Sequence, residues 1–261
     1  MTAPVGPRTW LRRFHTAPDP ATRPVRLVCL PHAGGAAGYF VPLSAELSAV
    51  ADVLAVQYPG RQDRWHEPAV DDLHELVRQV VAALEPALDE RPLVLFGHSM
   101  GALVAYEAAR FLNPARLYVS GCPAPSRGVG GEGETTGDED ILADLRTLDG
   151  TSGELLSDPE VLELIMPALR ADYRAVRTYR WRPGPEPACP LTVLTGDRDP
   201  RTPADAVLDW KRHGTGECRF HAYEGGHFYL TEHVRRVAEL VGADLAPHPR
   251  AAPGKDRPHP R

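Results

Sequence analysis

A chain of 261 residues falls between one large domain and two small ones at roughly 150 residues per domain, and either arrangement allows a substantial core. With 29 Lys and Arg against 35 Asp and Glu, the formal charge is −6, the wrong sign for a chain built to neutralise phosphates or to coat an anionic membrane. Its 43% hydrophobic and 25% charged residues match a soluble globular chain and exclude both a disordered and a membrane-embedded one.

The chain opens on MTAPVGPRTWLRRFH, which lacks the basic-then-apolar order of a secretory signal. No window approaches the ~18 consecutive apolar residues of a membrane span, so the expected compartment is the cytoplasm. Prolines, 27 in all, gather at 1–24, 183–190 and 247–261. The N-terminal segment 1–24 is set apart from the core, and the Pro-rich tail 246–261 has almost nothing apolar to bury and is expected to be disordered.

Short β-branched or leucine-rich runs at 25–30, 53–57, 93–96, 116–120, 191–195 and 219–223 are bounded by Pro, Gly or charge and predict buried strands. Between them, 70–88, 102–112, 203–213 and 231–241 carry apolar residues at helical spacing; in the first, Leu73, Leu76, Val77, Val80, Val81 and Leu84 mark one face. The alternation predicts an α/β fold: a mostly parallel sheet with helices on both faces, built from 25–120 and 190–245. The rhythm breaks over 121–189, which opens on a glycine-rich acidic loop and continues with helical patterns at 139–148 and 159–179, and is expected to form a helical lid inserted in the core. Cys29, Cys122, Cys189 and Cys218 are scattered, without paired or metal-ligand spacing, and read as free thiols.

Ligand sites in parallel sheets lie beyond the carboxyl ends of strands. There the run Leu93, Val94, Leu95, Phe96 leads straight into GHSMG at 97–101, and an alanine-rich helical stretch follows. This is G-x-S-x-G in its strand, turn, helix context, which projects the Ser99 hydroxyl out of the sheet and needs glycine on either side where a Cβ would collide with backbone. The helix that follows aims its free N–H groups at developing negative charge. An ordinary serine is a weak nucleophile near neutral pH and needs a base. His227, after Gly225 and Gly226 at the end of the last strand, is the candidate base. His98, beside the serine, is expected to be structural. Two acids share the turn after 191–195: Asp199, stiffened by Pro200, is preferred, and Asp197 is the alternative. Attack on a carbonyl also needs oxyanion donors. The Met100 amide is one, and the loop Pro31, His32, Ala33, Gly34, Gly35 offers the other at Ala33, with the His32 side chain as competitor.

PHAGG at 31–35, QYPGRQDR at 57–64, GHSMGALVAYE at 97–107, GDRDP at 196–200 and GGHFYL at 225–230 together resemble type II thioesterases, the stand-alone α/β-hydrolases that accompany polyketide and nonribosomal peptide synthases. The resemblance spans roughly residues 10–241 with the motifs in the family's order. It implies an α/β-hydrolase fold, a catalytic set of Ser99, Asp199 and His227, and oxyanion amides at Ala33 and Met100. The implied activity is hydrolysis of acyl groups from the phosphopantetheine arm of acyl or peptidyl carrier proteins, with no metal or organic cofactor.

Carrier proteins are typically acidic, so docking on a net-negative enzyme calls for a local basic patch. Arg170, Arg174 and Arg177, at i, i+4, i+7 in the lid, offer one stripe, and Arg61 with Arg64 a second; a solvated helix face is the alternative reading. Leu155, Leu156, Leu162, Ile165, Met166 and Leu169 are candidate linings of an acyl channel, Met166 being the adaptable member, or they pack the lid onto the core. A general carboxylesterase, an acyltransferase or a silent acyl-carrier binder would use the same architecture.

Overall fold

The computed structural model describes residues 7–16, 23–128, 137–148 and 158–246. Among these, seven strands form one sheet: Leu11–Arg12 (β1), Arg26–Leu30 (β2), Asp52–Val56 (β3), Leu93–His98 (β4), Arg116–Ser120 (β5), Leu191–Gly196 (β6) and Cys218–Tyr223 (β7), in the order β1-β3-β2-β4-β5-β6-β7. All neighbours from β3 to β7 run parallel, and β1 alone is antiparallel, with Leu11 opposite Val56. The chain steps outward from β2 to β3, then crosses back over β2 to β4 and continues the other way. The loops leaving β2 and β4 therefore diverge and open a crevice at the carboxyl ends of the two strands.

Side chains two apart on a strand share a face, and β2 shows why this sheet is covered on both. Leu27 and Cys29 pack with Phe40, Leu47, Val237 and Val241 on one side. Val28 and Leu30 pack with Leu76, Val80 and Leu103 on the other. The first layer is built by Val41–Leu47 (α2) and Val234–Leu245 (α9), the second by Leu73–Leu84 (α3) and Met100–Leu112 (α4). Pro7–Trp10 (α1) precedes the edge strand. The remaining helices are Asp138–Thr147 (α5), Pro159–Thr178 (α6), Ala204–Leu208 (α7) and Tyr229–Glu232 (α8). In α4 every residue from Met100 to Ala109 is buried, which explains its small, apolar sequence at the centre of the molecule.

Several boundaries differ from the sequence expectations for identifiable reasons. The helix expected over 70–88 starts at Leu73 because Asp72 caps it, its side chain accepting the Glu75 N–H at 2.8 Å, and it ends in a 3-10 turn at Glu85–Ala87. The stretch 203–213 divides into α7 and a 3-10 turn at Asp209–Arg212, and 231–241 into α8 and the longer α9. Helices α1 and α2 and strand β1 have no counterpart among the expected elements. Helix α2 accommodates Pro42 within its first turn, where the missing N–H removes no intrahelical bond. Strand β1 is too short to show a period, and through it part of the segment 1–24 joins the sheet.

Across 121–189 no strand occurs among the described residues. Helix α6 begins where Asp158 accepts from the Glu160 N–H at 2.9 Å, with Pro159 in the first turn. Its Met166, Leu169, Asp172 and Val176 recur at helical spacing and are buried. Ile141 and Leu145 of α5 cover Met166 and Leu169. Leu155, Leu156, most of the glycine-rich loop and the tail beyond residue 246 lie outside the described residues.

Candidate active site

Ser99 sits between β4 and α4 with φ 54° and ψ −121°, a left-handed conformation unusual for a residue with a side chain and costing on the order of 1–3 kcal/mol. Its neighbours make that turn possible. A Cβ on Gly97 would overlap the Gly101 carbonyl, and one on Gly101 would overlap the Leu30 carbonyl of β2. Both clashes are with backbone, so no side-chain adjustment relieves them. The Ser99 N–H is held by Ser120 O at 2.8 Å.

His227 Nε2 lies 2.9 Å from Ser99 Oγ, and His227 Nδ1 lies 2.8 Å from Asp199 Oδ2. All three residues are buried. The other Asp199 oxygen, Oδ1, accepts the Arg201 N–H at 2.9 Å, so the carboxylate is fixed from both sides. Asp197 plays a different part. Its Oδ1 accepts the Gly225 N–H at 2.9 Å, while the Arg198 N–H donates to Gly225 O at 2.9 Å. The GDRDP turn and the loop before His227 are thereby joined. The close approach depends on Gly196, where a Cβ would strike the carbonyls of Gly225 and Gly226; a Cβ on Gly226 would meet nothing within 4 Å. Of the two glycines before His227, the conformational demand falls on Gly225, at φ 129°.

His98 engages Ser120 in place of Ser99. Its Nδ1 is 2.9 Å from Ser120 Oγ, which is 2.6 Å from Tyr229 OH. Burial, followed by the nearby His227 and His32 rings, holds His98 well below the ordinary imidazole range. His32 packs edge-on against Tyr39 and Phe228, and burial, then His227 and Arg61, lowers its pKa to about 3. Gly35 lies directly against the ring, so His32 packs the loop through contact with Gly35, Tyr39 and Phe228.

The loop leaving β2 carries Ala33, and the start of α4 carries Met100. Among the described residues neither amide N–H has a protein acceptor, as expected of the first N–H of a helix. Other groups of the β2 loop are tied by hydrogen bonds. Gly35 N–H donates to His32 O at 2.9 Å, Ala37 N–H to Gln57 Oε1 at 2.9 Å, and Gly34 N–H to Asp172 Oδ2 at 2.7 Å. Arg61 donates to Gly35 O at 3.0 Å and grips Asp172 through two bonds of 2.7 and 2.8 Å.

This network corrects one expectation. Arg61 and Arg64 are buried and do not form a docking surface: Arg61 faces Asp172, and Arg64 donates to Gln57 O at 2.7 Å and pairs with Glu67. Charged residues removed from water require such partners. Arg170 and Arg174 are exposed on α6 but face Asp138 and Asp71, at 2.5 and 3.2 Å, and Arg177 O accepts from Arg180 at 2.7 Å. Met166 and Leu169 are buried against α5, with Ile165 partly covered beside them, and a Cβ on Gly34 would strike the Leu169 side chain. Leu169 therefore lies against Gly34 of the β2 loop, whereas Met166, with Ile165 beside it, packs α6 onto α5. Asp172, Gln57 and Ser120 were not singled out from sequence. The signal available for Asp172 was an acid on the apolar stripe of α6, three residues after Leu169.

All four cysteines are unpaired, with Cys29, Cys122 and Cys189 buried. Among the described residues no group of three or more His, Cys, Asp or Glu is arranged to hold a metal ion, and no helix is long and apolar enough to cross a membrane.

The family model of the thioesterase domain matches residues 25–245, and the chain belongs to the thioesterase family, enzymes of the α/β-hydrolase fold that hydrolyse thioesters. It is 47% identical over 242 residues to thioesterase PikA5 of Streptomyces venezuelae, covering 90% of this chain and 85% of that one. It is 45% identical over 249 residues to a protein of Streptomyces griseus named as a cadicidin biosynthesis thioesterase, covering 94% and 68%. Among solved structures, the type II thioesterase BorB from the borrelidin biosynthetic cluster superposes with a TM-score of 0.82 at 43% identity, over 91% of this chain and 98% of that one.

Proposed function

We propose that this thioesterase is a type II enzyme of a polyketide or nonribosomal peptide pathway that clears acyl groups from the phosphopantetheine arm of carrier proteins, using Ser99, His227 and Asp199. The observation that carries the reading is the double engagement of His227, 2.9 Å from Ser99 Oγ through one nitrogen and 2.8 Å from Asp199 through the other. That arrangement selects the tautomer with the proton on Nδ1 and leaves the Nε2 lone pair for the serine hydroxyl.

In the mechanism, Ser99 Oγ attacks the thioester carbonyl as its proton passes to His227 Nε2. Asp199 stabilises the resulting imidazolium. The oxyanion accepts from the Ala33 and Met100 N–H groups, each of which contributes several kcal/mol if its loss costs the usual ~10²–10³-fold in rate. Collapse breaks the C–S bond, and the thiolate takes the proton from His227. Water then attacks the acyl-enzyme, its proton going to His227 and from there to Ser99 Oγ, which regenerates the enzyme and releases a carboxylic acid. These steps assign no role to a metal or organic cofactor.

Helices α5 and α6, within the segment 121–189, act as a lid over this site, with Leu169, and beyond it Ile165 and Met166, bordering the acyl group, and Arg170, Arg174 and Arg177 meeting the acidic carrier. The order along the chain at 25–120, 121–189 and 190–245 is then one hydrolase core interrupted by its lid. The test is turnover of one acyl series presented on carrier protein, on coenzyme A and as simple oxygen esters. A carrier-dependent thioesterase favours the first by kcat/KM. Preference for oxygen esters would identify a general esterase, and acyl transfer to an added alcohol in place of hydrolysis an acyltransferase.

A further inference from the structure

Asp172 is a carboxylate on the lid helix α6, buried completely, 138 residues along the chain from the amide it holds. Its Oδ2 accepts the Gly34 N–H at 2.7 Å, and the same oxygen accepts Arg61 Nη1 at 2.7 Å. Its Oδ1 takes Arg61 Nη2 at 2.8 Å. Arg61 also donates from Nη1 to Gly35 O at 3.0 Å. The first and third peptide groups after Ala33 are thus gripped by one ion pair, the first through the Gly34 N–H and the third through the Gly35 C=O. One turn earlier on α6, Leu169 lies against Gly34 and leaves no space for a side chain there. Gly34 itself is held at φ 72°, a conformation that glycine adopts freely and that turns successive N–H groups along the loop.

A buried carboxylate tied to a guanidinium in two places is rigid, and both partners are already desolvated, so the network does not reorganise when charge develops nearby. The Arg61 end is fixed in turn: the Arg61 carbonyl accepts from Gln57 Nε2 at 3.2 Å, and Gln57 Oε1 accepts from the Ala37 N–H at 2.9 Å. The lid helix, the 57–61 segment and the β2 loop form one hydrogen-bonded unit around Ala33.

We infer that Asp172, with Arg61, is a positioning residue for the oxyanion donor at Ala33, so that the lid helix supplies part of the geometry that stabilises the tetrahedral intermediate. The inference rests on the proposed use of Ser99 and the Ala33 amide. It assigns to α6 a role in the chemical step, separate from enclosing the acyl chain. Because donors must sit within a fraction of an ångström of the oxyanion, loosening the Gly34 and Gly35 peptides lowers kcat while leaving substrate affinity nearly as it was.

The experiment compares wild type, Asp172→Asn and Arg61→Lys. The lysine variant keeps the buried charge balance and loses the bidentate grip, so it carries the test should Asp172→Asn fail to fold. Folding is checked by thermal melts, and the integrity of Ser99 and His227 by stoichiometric labelling with a fluorophosphonate. Turnover of a small soluble acyl thioester and inhibition by a trifluoromethyl ketone, whose adduct with serine carries an oxyanion, are then measured. The expected result is a tenfold to hundredfold fall in kcat, KM within about twofold, an unshifted pH profile, and loss of ketone affinity in parallel with kcat. Folded, fully labelled variants that keep wild-type kcat, or lose kcat with ketone affinity intact, would overturn the inference. Wild-type protein that shows no labelling, or a Ser99→Ala variant that still turns over, would instead remove the reading beneath it.

Discussion

Asp199 Oδ2 approaches His227 Nδ1 to 2.8 Å, while Asp197, two residues earlier on the same turn, spends its carboxylate on the Gly225 amide at 2.9 Å. The two acids that sequence alone leaves as alternatives thus have different partners, and their variants should separate. Asp199→Asn is expected to lower kcat by about 10³–10⁴-fold with the fold intact, by loss of the correct imidazole tautomer. Asp197→Asn is expected to keep most of the turnover and to lose about 1 kcal/mol of stability from a weakened loop bond. Steady-state kinetics and urea unfolding on both proteins check this, and equal catalytic loss from each would contradict the assignment.

Gly97 and Gly101, which flank the turn at Ser99, make a sharper structural prediction. At Gly97 and Gly101 a methyl group would meet carbonyls of the backbone itself. Gly101→Ala is expected to destabilise the protein by roughly 3 kcal/mol or more, through overpacking between β2 and α4, and to abolish fluorophosphonate labelling in whatever folded fraction remains. Gly226→Ala, with open space around its would-be Cβ, is expected to change either property little.

Acid sensitivity follows from two imidazoles, His98 fully buried and His32 partly exposed but packed among aromatic rings. His32 is lowered from 6.5 to about 3 and His98 well below 6.5, both chiefly by burial. In the window between those values and 6.5 the unfolded chain binds more protons than the folded one, so stability is full above about pH 6.5 and falls as the pH drops toward the folded values. At ~1.4 kcal/mol per pH unit for one proton, His32 alone removes roughly 2 kcal/mol between pH 6.5 and 4.5. Urea unfolding across that range should show the slope, and His32→Gln should flatten it; a wild-type curve level down to pH 4.5 would contradict it.

The exposed arginines of α6 and the residues proposed to border the acyl group call for paired substrates. Reversing Arg170, Arg174 and Arg177 to Glu is expected to raise KM for an acyl carrier protein severalfold while sparing a small soluble thioester; equal loss on both would argue against docking there. Met166→Ala and Ile165→Ala are expected to shift the preferred acyl length. An unchanged acyl profile in folded protein would leave both residues with the packing role shown by their contact with α5.

The parts of this molecule that were legible in its sequence are those where one residue type is physically forced. The turn at Ser99 needs glycine at 97 and 101, and the central strand β2 is a largely apolar run because both of its faces are covered, as Leu27 and Val28 illustrate, whereas the edge strand β7, expected to be buried, carries Arg219 and His221 and is mostly half-buried. The imidazole and the acids could be ordered along the chain because each follows a strand. Arg61, Arg64 and Asp172 were not legible in the same way. Charged side chains are by default exposed, and the partners that let these sink into the core come from separate stretches that only the fold unites. Strand β1, two residues long, carries too little pattern to be seen, and its place on the sheet is set by its register with β3.

Whether Ser99 is the nucleophile is decided by intact-protein and peptide mass spectrometry after brief mixing with an acyl thioester, on wild type and on Ser99→Ala. Nucleophilic catalysis by Ser99 predicts an acyl adduct confined to the peptide containing that residue, and neither adduct nor turnover in the alanine variant. An adduct on another residue, or hydrolysis at the wild-type rate without the Ser99 hydroxyl, would contradict it.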